Sequence, residues 1–102
     1  MENSKELNLI MQIILHAGDA QNDALEAFDF IADNKDDLAK EKLVSSKNKI
    51  NEAHAVHQGF LTKDINANTS LLLVHALDHL TKAEVYHTAA EKVLAILERR
   101  AK

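Results

Sequence analysis

No proline interrupts this chain, and glycine occurs only at Gly18 and Gly59. A 102-residue sequence rich in Ala, Leu, Glu and Lys and free of such breakers favours long helices. Strands would need β-branched and aromatic runs bounded by turn residues, and aromatic residues make up only 4%. The length suits one domain, 1–102, and leaves no room for two independent cores. Hydrophobic residues form 46% of the chain, so the core must be built from Leu, Ile, Val and Ala.

Three helices account for the pattern, over about 4–31, 35–62 and 70–100. Asn3 or Ser4 suits the first N-cap, and Leu7, Ile10, Met11, Ile14 and Leu15 recur at helical spacing. Gly18 lies mid-helix, at a cost of roughly 1 kcal/mol relative to alanine, and a glycine kept there often admits a close neighbour. The first break is Asp33-Asn34-Lys35, where Asn34 or Asp33 is expected to cap the second helix. Leu38, Leu43, Ile50, Ala53, Phe60 and Leu61 form the expected core of that helix. The second break, Ile65–Thr69, is rich in turn and cap residues. Short joints between long helices give an all-α, antiparallel, up-down-up three-helix bundle. Leu71, Leu72, Leu73, Val74, Leu77 and Leu80 nearly encircle the third helix, so it should be covered on most sides. Self-association with helix three innermost is the expected consequence.

The formal net charge of −4 argues against a nucleic-acid binder, which would present a basic face. There is no cysteine, hence no disulfide and no thiolate metal site. The first residues lack the basic region and cleavage site of a signal peptide, and the apolar run Leu71–Val74 falls far short of the ~20 residues of a membrane span. A cytoplasmic protein without membrane insertion is expected.

Six histidines remain to be explained: His16, His54, His57, His75, His79 and His87. For a single histidine, a packed or solvated role is the commoner use. His75, Asp78 and His79 are different, because residues three and four apart share one helical face. Two imidazoles at that spacing could share a zinc ion with a third ligand, although no Glu stands where a metalloprotease helix has its general base. Alternatively, one imidazole could accept a phosphoryl group while its neighbours orient the ring. A hairpin turn centred near Asn66 or Ala67 would bring His57 level with His75 and His54 one turn further away.

The run Ser70-Leu-Leu-Leu-Val-His-Ala-Leu-Asp-His-Leu80 resembles the SLLLVHAQDHLM signature of the lactose/cellobiose-type enzyme IIA of the bacterial sugar phosphotransferase system. Ile13–Ala20, with its Ala-Gly-Asp-Ala, and Asn51-Glu-Ala-His54 resemble two further segments of that family, in the same order. The resemblance implies a phosphoryl carrier. His75 would accept phosphate from the histidine phosphocarrier protein HPr and pass it to an enzyme IIB component for uptake of a lactose-, cellobiose- or chitobiose-class sugar. It further implies a homotrimer in which Asp78 gathers around a divalent metal, Mg above all, at the threefold axis. His79 would be a neighbour of the phosphate, and His54 and His57 are candidates for the same surroundings.

Leu77 stands in place of the family's glutamine, Thr81 in place of its methionine, and His57 where a glutamine usually follows. The joint over 63–69 is also shorter than in typical members. These departures leave an alternative, a trimeric helical protein that keeps the scaffold for regulatory or structural purposes without transferring phosphate.

Overall fold

The structure, a computed structural model, describes residues 2–101, with side-chain surroundings from Ser4 onward. It contains α1 (Glu2–Ala32), α2 (Asp36–Gln58) and α3 (Ala67–Ala101), with no strand among the described residues. The expected all-α three-helix architecture is the observed one, and its boundaries differ in informative ways.

Asn34 does not cap α2. It adopts a left-handed φ of 61° and closes α1, with its N–H bonded to the Ile31 carbonyl and the Lys35 N–H to the Phe30 carbonyl. This is a Schellman ending, for which asparagine is the usual substitute for glycine. The joint is too short to supply a second capping residue, so α2 begins at Asp36 with Lys35 at its N-cap position and no side-chain cap. Helix α2 then ends at Gln58, four residues before the expected Thr62, because 59–62 tighten into single turns. Helix α3 starts three residues earlier than expected, since the Asn66 side chain accepts the Thr69 N–H at 2.8 Å and acts as its N-cap.

The core runs along heptad positions. Ile10, Ile13, Ala17, Ala20, Ala24, Ala27 and Ile31 alternate in steps of three and four along α1, all buried. Ala39, Ser46 and Ala53 on α2, and Ala76, Ala83 and Ala90 on α3, repeat every seven residues and are fully buried. Small side chains at these positions let the helices approach closely, while Leu43, Ile50, Leu80 and Leu94 fill the layers between them. The apolar spacing expected in helix one was therefore only partly the core pattern: Ile10 is buried, but Leu7, Met11 and Leu15 are exposed. Leu38 and Leu61 are likewise exposed. An alanine placed on Gly18 would meet nothing within 4 Å, so no close neighbour within the chain requires that glycine.

Polar contacts lock the register. Ser46 Oγ donates to the Ala20 carbonyl at 2.8 Å, and the buried Asp23 carboxylate accepts from Ser45 Oγ at 2.6 Å and Lys49 Nζ at 2.9 Å. Between α2 and α3, Lys40 meets Glu98 at 2.8 Å and His54 meets Glu84 at 3.0 Å. The Lys40 ammonium is held above its usual 10.5, first by the hydrogen bond to Glu98 and then by that carboxylate's charge. Its contribution is therefore complete below 10.5 and is lost only as the pH rises above that value.

Those two α2–α3 pairs are fourteen residues apart on both helices, so they set one antiparallel register. In that register the end of α2 at Gln58 lies opposite Leu80, and the start of α3 from Ala67 projects beyond it. Phe60 and Ile65, in the connecting segment, pack against this projecting part alongside Leu73 and Ala76. The segment therefore climbs along α3 instead of folding as a symmetrical hairpin.

Candidate functional site

His75 and His79 stand on the part of α3 that projects past α2, His75 exposed and His79 half-buried. Helical spacing brings their rings together: the Nε2 atoms are 3.3 Å apart, and the rings meet edge-to-face with centroids 4.8 Å apart. Which ring donates in this contact and which accepts is set by the tautomer of each imidazole. Neither ring is enclosed. Two grooves mark the surface, one between α2 and α3 around His87, of about 420 Å³, and one along α3 from Thr81 to Lys92, of about 480 Å³. His75 lines neither.

The other candidate histidines are not part of this pair. His54 binds Glu84, and Glu84 lies nine residues beyond His75. Nine residues are two and a half turns, so Glu84 and His75 point to opposite sides of α3. The register that pairs His54 with Glu84 sets His57 across from Thr81, roughly 9 Å along the axis from His75 at 1.5 Å per residue. The expected level placement of His57 and His75 is thus corrected, because the climbing segment 59–66 shifts α3 by more than a turn. His16 lies on another face and meets Glu52 at 3.2 Å.

Asp78 is exposed. Among the described residues, no group of three or more His, Asp or Glu side chains is arranged to hold a metal ion. One chain supplies a single carboxylate at Asp78, which does not fit a divalent cation that takes six or more oxygen ligands. The expected metal centre is therefore not a property of the single chain.

No motif in the sequence marks His87. It occupies a core heptad position, with Nε2 3.4 Å from Glu91 and a buried Nδ1 that has no partner. Its place between Leu80 and Leu94 at steps of seven follows the same seven-residue repeat as the buried alanines.

Residues 8–98 match the family described as the lactose/cellobiose-specific IIA subunit of the PTS system. The chain belongs to this IIA family. It is 27% identical over 100 residues to the lichenan-specific phosphotransferase enzyme IIA component of Bacillus subtilis (strain 168), covering 95% of this chain and 91% of that protein. It is 31% identical over 88 residues to the oligo-beta-mannoside-specific EIIA component of the same organism, covering 78% and 80% respectively. It is also 31% identical over 91 residues to the galactose-specific EIIA component of Lactococcus lactis subsp. cremoris (strain MG1363), covering 86% and 78%. No solved structure matches the chain. As a IIA protein it is a phosphotransferase component of the sugar phosphotransferase system. No helix among the described residues of this IIA chain is long and apolar enough to cross a membrane.

Proposed function

We propose that this IIA protein carries a phosphoryl group on His75, received from HPr and delivered to an enzyme IIB component in the cytoplasm. The observation that carries the proposal is the exposed His75 ring on the projecting part of α3, with His79 Nε2 3.3 Å from its own Nε2. In the reaction, the Nε2 lone pair of neutral His75 attacks phosphorus as the N–P bond of the donor phosphohistidine breaks. The electron pair of that bond returns to the donor ring. Phosphoryl transfer asks a protein mainly for positioning and charge stabilisation. His79 supplies both, because its Nε2–H, no longer shared with the His75 nitrogen, donates to a phosphate oxygen. Leu77 offers no such donor, so His79 is the polar neighbour that the position of the family's glutamine lacks here. Delivery to IIB reverses the step on the next acceptor, and the sugar need never touch this chain. The names of the three relatives specify different sugars, lichenan, oligo-beta-mannoside and galactose.

The first test is the intact mass of the protein after incubation with phosphoenolpyruvate, enzyme I and HPr under neutral or basic conditions. A gain of one acid-labile phosphate is the expected result. No gain beside phosphorylated HPr would leave the regulatory or structural alternative.

The assembly completes the proposal. Leu71, Val74 and Val85, exposed by 69%, 56% and 62%, line one stripe of α3 with Asp78 among them. An exposed apolar stripe on a helix at coiled-coil spacing calls for a partner helix. Three copies meeting along it would form the homotrimer with α3 innermost and gather three Asp78 carboxylates, an oxygen set that suits Mg with added waters. Native mass measurement of Asp78→Leu should still give a trimer, whereas the axial cation should be lost. A monomeric wild-type chain would overturn this arrangement.

A further inference from the structure

We propose that His75 and His79 form a two-imidazole binding site for zinc or a similar borderline divalent cation, and that its occupation blocks phosphoryl transfer. The inhibitory part rests on the carrier role of His75, whereas the binding part does not. Two Zn–N bonds of about 2.0–2.1 Å at a tetrahedral angle place their nitrogens about 3.3–3.4 Å apart. The two Nε2 atoms are 3.3 Å apart. Both histidines also sit one turn apart within a continuous helix that neither has to distort.

His75 is exposed and His79 half-buried, so a hydrated cation reaches both nitrogens and keeps waters at its remaining positions. Among the described residues there is no third side-chain ligand in the chain, which makes the site open and exchangeable. Binding needs both Nε2 lone pairs, so the ring that carries a proton there moves it to Nδ1, with no change in total charge. Imidazole nitrogens favour Zn, Ni and Cu, whereas Mg prefers oxygen ligands, so this site differs in kind from a carboxylate cluster at Asp78. A phosphoryl group on His75 Nε2 occupies the lone pair that the cation needs. The two states therefore exclude each other.

Titration calorimetry of the full chain with ZnCl₂ at neutral pH tests the site. One zinc per chain is expected. His75→Gln and His79→Gln should each weaken binding at least as much as the about 10- to 100-fold that losing an outer-shell partner costs. Asp78→Asn should leave it unchanged, and MgCl₂ should not compete. Binding that survives both histidine substitutions, or disappears with Asp78→Asn, would overturn the site. In the transfer assay, zinc should prevent phosphate uptake from already phosphorylated HPr, and a chelator should restore it. Uptake unaffected by zinc at concentrations that saturate the titration would overturn the inhibition. A chain that takes up no phosphate even without zinc would refute the carrier role, while the titration still decides the site.

Discussion

His75→Ala is expected to take up no phosphate, with its helical content and melting temperature unchanged. The side chain is exposed and its ring meets that of His79, so its removal leaves no cavity and no buried unpaired group. His79→Ala should keep the phosphorylation site but slow the step about 10²-fold, the loss expected when a reacting group is misplaced by an ångström. His79→Gln restores a donor at that position and should recover much of the rate. This difference separates a phosphate-binding role from a merely structural one. Rates would be read from phosphorylated HPr by stopped incubation and intact mass. Full uptake by His75→Ala would place the acceptor elsewhere, and equal rates for His79→Ala and wild type would remove His79 from the site. His54→Ala should have little effect within a single chain, because His54 is committed to Glu84 on the opposite side of α3.

Phe60→Ala should destabilise the fold by about 3–5 kcal/mol, whereas Leu61→Ala should stay within about 0.5 kcal/mol. The two residues are adjacent and similarly hydrophobic, but Phe60 is 4% exposed and Leu61 is 68% exposed. Phe60 belongs to the cluster of Ile13, Ile50, Ala76 and Leu80, and fixes the climbing segment to the start of α3. Its loss opens a cavity where α2 no longer covers the bundle. The stability of a small domain is about 5–15 kcal/mol, so the substitution removes a large part of it. Urea unfolding followed by far-ultraviolet circular dichroism would measure both variants. Equal effects would mean that the segment does not pack as described. A looser segment should also reduce phosphate uptake modestly, since it supports the stretch of α3 that carries His75.

The relation between pattern and packing is clearest in α1. Leu7, Met11 and Leu15 have the spacing of a buried face, and so do Ile10, Ile13, Ala17 and Ala20. Counting large side chains favours the first set, but the second is buried. A bundle built on alanine brings its helices close and leaves many large apolar residues outside the core. The site shows the same division. His75 and His79 one turn apart were legible, because helical spacing alone brings them together. His57 and His54 could not be placed, since their distance from His75 depends on the path of residues 59–66.

The sequence by itself determined the all-α class, the three helices, the family and the histidine pair. Each of these follows from local spacing, the absence of breakers or a continuous motif, none of which requires knowing what packs on what. Only the tertiary structure decided that Asn34 ends α1 instead of capping α2, that alanines form the seam, and that α3 projects past α2 to present His75. Those outcomes depend on which of several competent partners each group finds. That choice is made by close packing between helices, on which a one-dimensional pattern carries no distances.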